Sequence, residues 1–173
     1  MAVILLYLDA SAWSKRYTEE DGRQVVDLLI EEAAAHSEIR LISSVLSYAE
    51  VISAIVRFRN RTALPDERFE DSVKRVGIDE AGFLLLPLPE DAFRSGTALI
   101  VRHNLNATDA ALLWTLHDLQ QASQTTGPGM RIWLVAADKR FLHAAAAEGL
   151  ACLDPEVSSP REVRELLAHW AGR

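Results

Sequence analysis

Short apolar runs alternate with longer stretches of helical periodicity along this chain. The first run, Val3–Leu8, is continuous and ends on an aspartate followed by small residues. An unbroken apolar run predicts a strand buried on both faces, as parallel sheets require. Residues 10–17 then predict a short helix, and Glu19-Glu20-Asp21-Gly22 an acidic turn. Between Arg23 and His36, Val25, Val26, Leu28, Leu29, Ile30 and Ala33 make a helical apolar face. Residues 39–42 predict a second strand. Ser43-Ser44 offers an N-cap to a helix reaching about Arg61, with Val45, Ala49, Ile52, Ile55 and Val56 towards the core. That helix ends in Arg57-Phe58-Arg59-Asn60-Arg61, whose charge suits a helix C-terminus.

Pro65 opens a helix to about Val76, with Glu67, Glu70 and Asp71 outside. Residues 83–88 predict the third strand. Glu90–His103 reads as a helix, residues 104–108 as a turn, and Asp109 to about Ala122 as a strongly apolar helix. Residues 120–129 end in a loop of Ser, Thr, Gly and Pro. Residues 132–137 predict the fourth strand, 138–148 a helix closed by Gly149, and 150–153 the fifth strand. An amphipathic helix starts at Pro160 and reaches about Trp170. Alternation of this kind implies an α/β fold, a mainly parallel five-stranded sheet covered on both faces. At 173 residues the expectation is one domain over residues 1–173, closed by a helix over about 160–171. There are no internal repeats.

Composition narrows this picture in three ways. No apolar run is long enough to span a bilayer, so no membrane association is expected. The apolar N-terminus lacks a preceding basic region and reads as a core strand, not a signal peptide. The single cysteine, Cys152, excludes an internal disulfide or a cysteine-built metal site and fits a reduced, cytoplasmic setting. A net charge of −7 argues against a broad phosphate-gripping surface, yet an acidic site holding divalent cations would itself contribute to it.

Four carboxylates then stand out. Asp9 ends the first strand and Asp138 the fourth, in Val135-Ala136-Ala137-Asp138. Equivalent ends of parallel strands share one sheet edge, where open α/β sheets place ligands. Asp109 opens a helix in Asn106-Ala107-Thr108-Asp109; its bland reading, an N-cap, has the better odds on this observation alone. Glu50 lies between apolar neighbours in Ser47-Tyr48-Ala49-Glu50-Val51. It is either half-buried at a cost or the acidic member of a capping box with Ser47, and the two readings are even. Ser11 is a first-turn or capping residue, or a hydroxyl beside the acids. If all four acids converge they repel, and hard divalent cations with oxygen ligands suit such a cluster. Such a site can support in-line displacement at phosphorus.

In order and setting these acids resemble the PIN-domain nucleases, and most closely the VapC-like ribonuclease toxins of toxin–antitoxin pairs. The resemblance is carried by Tyr7-Leu8-Asp9-Ala10-Ser11-Ala12, Ser43-Ser44-Val45-Leu46-Ser47-Tyr48-Ala49-Glu50-Val51, Leu105-Asn106-Ala107-Thr108-Asp109-Ala110 and Val135-Ala136-Ala137-Asp138-Lys139-Arg140-Phe141, and covers nearly the whole chain. It implies a three-layer α/β/α fold and Mg²⁺- or Mn²⁺-dependent endoribonuclease activity leaving a 5′-phosphate and a 3′-hydroxyl. Asp9, Glu50, Asp109 and Asp138 would be the catalytic and metal-binding acids, with Ser11 close by. It also implies RNA as substrate, a small antitoxin as partner and a homodimer. Two features depart from the family: Ala136 stands where a hydroxyl residue is frequent, and the chain is longer than a minimal VapC toxin.

Other residues carry less. Arg57, Arg59 and Arg61 could hold an RNA backbone or an acidic antitoxin segment, but read first as a solvated helix end. Lys139 and Arg140 directly follow Asp138 and are better placed to meet phosphate. His103 and His117 lack zinc spacing, Asp118 is out of phase with Asp109, and Trp13, Trp114 and Trp133 read as core. The rival classes are a non-toxin PIN nuclease, a non-catalytic module on a degenerate nuclease fold, and a phosphatase or receiver domain. The last wants a second acid near Asp9, where Ser11 stands.

Overall fold

The computed structural model describes residues 3–126 and 130–171. Five strands, β1 (Val3–Leu8), β2 (Ile39–Ser44), β3 (Phe83–Leu86), β4 (Met130–Val135) and β5 (Ala151–Leu153), form one sheet in the order β3-β2-β1-β4-β5. Every pairing is parallel. β1 is central because its apolar run can be buried on both faces: Ile4 through Leu8 are all buried.

The two faces of the sheet build two cores. Ile4, Leu6 and Leu8 pack with α1 (Ala10–Trp13), α2 (Lys15–Thr18), α3 (Arg23–Ala35), α4 (Val45–Thr62) and the later α9 (Pro160–Ala171), while Val76 and Phe69 bring in α5 (Asp66–Glu80). Leu5 and Tyr7 pack on the other face with α6 (Glu90–His103), α7 (Ala107–Thr126) and α8 (Lys139–Ala147). The result is the expected three-layer α/β/α arrangement.

Element boundaries differ from expectation where side chains from elsewhere intervene. The helix over residues 10–17 divides at Ser14. β2 runs on through two fully buried serines, because Ser43 and Ser44 pair with Leu85 and Leu86 and their hydroxyls are satisfied. Ser43 Oγ donates to Leu8 O (2.7 Å), and Ser44 Oγ accepts from Ser47 N (2.9 Å) as the N-cap of α4. α5 extends past Val76 to Glu80, where Asp79 is held by Arg16 Nε and Tyr17 OH, each at 2.7 Å. α7 begins two residues before Asp109 and continues through the polar segment to Thr126. The rest of the expected loop, residues 127–129, lies outside the described residues. β3 stops at Leu86 rather than 88. β4 spans Met130–Val135 rather than 132–137, its start paired with Val3.

Helix contacts also position the sheet's ends. α6 lies close on α7 because Gly96 has no side chain: a Cβ there would sit 3.0 Å from Ala110 O. Ala110 adjoins Asp109, so this approach helps set Asp109's position. Glu148, which caps α8, ties it to α6 through His103 (2.6 Å) and Arg102 (2.7 Å). Those bonds, His103 first, hold the Glu148 carboxyl below its ordinary value of 4.5. A carboxyl depressed in the folded state stabilises the fold above its unfolded pKa and loses that contribution as pH falls through the folded value. Glu148→Gln therefore lowers Tm near neutral pH, and the gap to wild type closes in acid. A gap constant between about pH 7 and about pH 3 in thermal melts would contradict this.

Candidate active site

The order β3-β2-β1-β4-β5 reverses direction beside β1, since β1 leads to β2 on one side and β4 is added on the other. Open α/β sheets bind ligands at the carboxyl ends of strands flanking such a switch point. Asp9 follows β1 and Asp138 lies three residues beyond the end of β4; the strands pair up to Leu8–Val135, and Asp9 N donates to Val135 O (2.9 Å).

Three of the acids are oriented by hydrogen bonds from nearby groups. Asp9 is the N-cap of α1: its Oδ2 accepts from Ser11 N (2.9 Å) and from Ser11 Oγ. Asp138 is the N-cap of α8: its Oδ1 accepts from Arg140 N (2.8 Å) and Phe141 N (3.0 Å). Asp109 is not the cap of α7. Asn106 takes that part, with Oδ1 accepting from Asp109 N (2.8 Å) and Nδ2 donating to Asp109 Oδ2 (2.9 Å). In each case these bonds orient the carboxylate, and the Asp9 carboxyl is also met by the Ala10 backbone N–H.

Glu50 resolves differently. The capping box with Ser47 is absent, because α4 starts at Val45 and Ser47 is a buried interior residue bonded to Tyr7 OH (3.0 Å) and Ser44 Oγ (2.9 Å). Glu50 is half-buried and shares a cavity wall with Asp9 and Asp109.

Ser11 is more than a first-turn residue. Its Oγ donates to Asp9 and accepts from Ala137 N (3.0 Å) and Asp138 N (3.4 Å). One hydroxyl thus clamps the exits of β1 and β4 together. Ala136 is fully buried and can offer no side-chain bond; the Ser11 hydroxyl supplies one from across the sheet.

The fields of the four acids overlap. Burial raises the Asp9 carboxyl most; Asp138 adds to this, against the hydrogen bonds from Ser11 and Ala10. Asp109 is pushed up to about 6 by burial, then by Asp9, Asp138 and Glu50, with Arg140 opposing. Glu50 is raised by burial and Asp9 and lowered by Arg57. Burial above all, with Asp9 adding, also raises the Tyr7 hydroxyl. Among the described residues no three His, Cys, Asp or Glu stand close enough to hold an ion. The acids are neighbours rather than a closed cluster.

A cavity of about 400 Å³ has Asp9, Ser11, Glu50 and Asp109 in its wall. Asp138 is outside that wall and acts on Asp9 and Asp109 through its charge. Glu20, Arg57, Phe58 and Arg61 also line it, and were not separable from their neighbours in the linear reading. The available signal was phase: Glu50, Ala54, Arg57 and Arg61 recur at helical spacing. Lys139 is turned to Asp154 and Glu156 instead. Trp13 is fully buried, as expected of core; Trp114 and Trp133 are partly exposed but pack against the two cores. A larger apolar cavity of about 720 Å³ beside β5 shares none of these residues. Cys152 lines it, its thiol pushed up to about 11 by burial.

Residues 6–147 match the PIN domain family. The fold is similar to the crystal structure of PAE2754 from Pyrobaculum aerophilum, with a TM-score of 0.58 and 19% identity, over 100% of this chain and 92% of that one. Among curated proteins none matches in sequence.

Proposed function

The chain belongs to the PIN domain family, whose members are generally nucleases, and from that premise we propose that it is a metal-dependent endoribonuclease, the toxin of a VapBC-type pair. What supports the metal-dependent reading is the placement of four carboxylates as neighbours around one sheet edge, three of them raised by burial and mutual repulsion. Hard oxygen donors in that number suit Mg²⁺ or Mn²⁺. Asp9 and Asp138 would hold the principal ion, with Glu50 and Asp109 completing the site or holding a second. A divalent ion held by them would supply polarisation of phosphoryl oxygens and an activated water for in-line displacement.

The chain's own residues prepare this. Ser11 keeps Asp9 and the β4 exit in register, and Asn106 fixes Asp109. Arg57 and Arg140 partly offset the acids' field. The toxin assignment, with its small antitoxin and homodimer, rests on the motifs shared with VapC-like toxins.

Incubated with labelled single-stranded RNA and Mn²⁺ or Mg²⁺, the purified chain should cleave it, stop when EDTA is added, and leave 5′-phosphate ends. Ser11→Ala should lower the rate about 10–100-fold, the usual cost of removing a group that orients a ligand. RNA left intact in both metals would overturn the proposal.

A further inference from the structure

Five residues of α4 share one stripe. At about 100° per residue, Ala54, Arg57, Phe58 and Arg61 all fall within about 80° of Glu50, and Arg59 falls about 180° away. The structure agrees: Glu50, Ala54, Arg57, Phe58 and Arg61 line the acidic cavity, while Arg59 pairs with Asp66 (2.6 Å) and covers the Phe69 ring. The arginine run at the helix end is therefore two surfaces, not one.

We infer that Arg57 and Arg61, with the Phe58 ring between them, form the track that holds the substrate strand beside the bond to be cleaved. This rests on the ribonuclease reading above. By helix rise, Arg57 lies about 10 Å and Arg61 about 16 Å along α4 from Glu50, so the track leads away from the acids in one direction. Arg57 makes no hydrogen bond or ion pair among the described residues. Arg61 pairs with Glu20 (2.9 Å), with 65% and 40% of the two side chains accessible, and lies over the Phe58 ring. Such a pair is weak, and a phosphate offers the guanidinium a better, bidentate partner. Phe58 is half-buried in the same wall with the Arg61 guanidinium over its ring, 5.7 Å from the centre, so the two side chains together present a cation and an aromatic ring of the kind on which bases stack. A chain of net charge −7 has little general attraction for nucleic acid, so a narrow track of this kind would carry the binding. An acidic peptide would have no use for the ring.

The test is fluorescence anisotropy of a short fluorescein-labelled single-stranded RNA on the full chain carrying Asp9→Asn, over a salt series. Adding Arg57→Ala or Arg61→Ala should weaken binding about tenfold at low salt and reduce the salt slope by about 0.7 each. Phe58→Leu should weaken it about tenfold with the slope unchanged. Glu20→Gln, which frees Arg61, should tighten it severalfold, and Arg161→Ala on α9 should change nothing. In the chain with Asp9 intact, Arg57→Ala should raise KM for RNA more than it lowers kcat. If the RNA binds and is cleaved but the arginine variants match their parent in affinity and slope, the track is wrong and the ribonuclease reading survives. If the chain neither binds nor cleaves RNA, both fall. Tighter capture of a poly-glutamate peptide than of RNA, lost in Arg57→Ala, would assign the stripe to an acidic protein segment instead and overturn the inference.

Discussion

On the ribonuclease reading, Asp9→Asn should abolish RNA cleavage and at the same time raise the Tm of the metal-free protein. The two effects have one cause. Asp9 is 7% exposed, stands in the field of Asp138, and has its carboxyl raised, so its charge is a cost when no cation is bound. The hydrogen bonds from Ser11 and Ala10 favour the charged form, but burial and repulsion outweigh them. Asparagine is nearly isosteric, and its Oδ1 can still accept from Ser11 N, so the cap of α1 survives. Every kcal/mol recovered is worth about 2–4 °C in a chain of this length. With Mn²⁺ added, wild type should gain Tm by ligand linkage and the variant little or nothing. The loss of several kcal/mol of transition-state stabilisation corresponds to a rate lower by about a thousandfold or more. An active Asp9→Asn chain, with contaminating nuclease excluded, would sink the assignment. An Mn²⁺-induced Tm rise equal in both proteins would remove Asp9 from the metal site.

Trp13→Ala has the largest expected effect on stability. Trp13 is fully buried and stacks on Phe83 with ring centres 4.4 Å apart at 19°. Its Nε1 donates to Tyr17 OH (3.1 Å), which in turn donates to Asp79 of α5. Truncation leaves a large cavity and an unmet acceptor, a loss of about 3–5 kcal/mol, or about 6–20 °C in Tm. Trp13→Phe should fall between, keeping the ring stack while losing the N–H. Since Trp13 closes the short helix that Asp9 caps, activity should fall in parallel with stability. A Trp13→Ala protein melting within a degree or two of wild type would show that this core is organised differently.

Much of this fold was legible because its signals are local. Val3–Leu8, Glu90–His103 and the starts of α3 and α9 follow from apolar period, prolines and caps. Boundaries failed where a distant side chain decided them: Asp79 is reached by Arg16 and Tyr17, some 60 residues earlier in the chain, and α5 runs on to hold it. The acids divide in the same way. Asp9 and Asp138 could be matched from strand ends alone. Asp109 and Glu50 could not be told from capping residues until Asn106 and Ser44 were seen in those parts.

By itself the sequence determined the strand–helix alternation, the parallel sheet and the order of the four acids, because periodicity and capping are properties of neighbours along the chain. Only the tertiary structure decided that β1 lies beside β4, since strand order depends on which apolar faces find each other. From that adjacency follow the Ser11 clamp across the sheet and the part Asp138 plays in raising the carboxyls of Asp9 and Asp109. It also turned Arg57 and Arg61 towards these acids and Arg59 away, because the packing of α4 fixes which side of the helix meets the cavity.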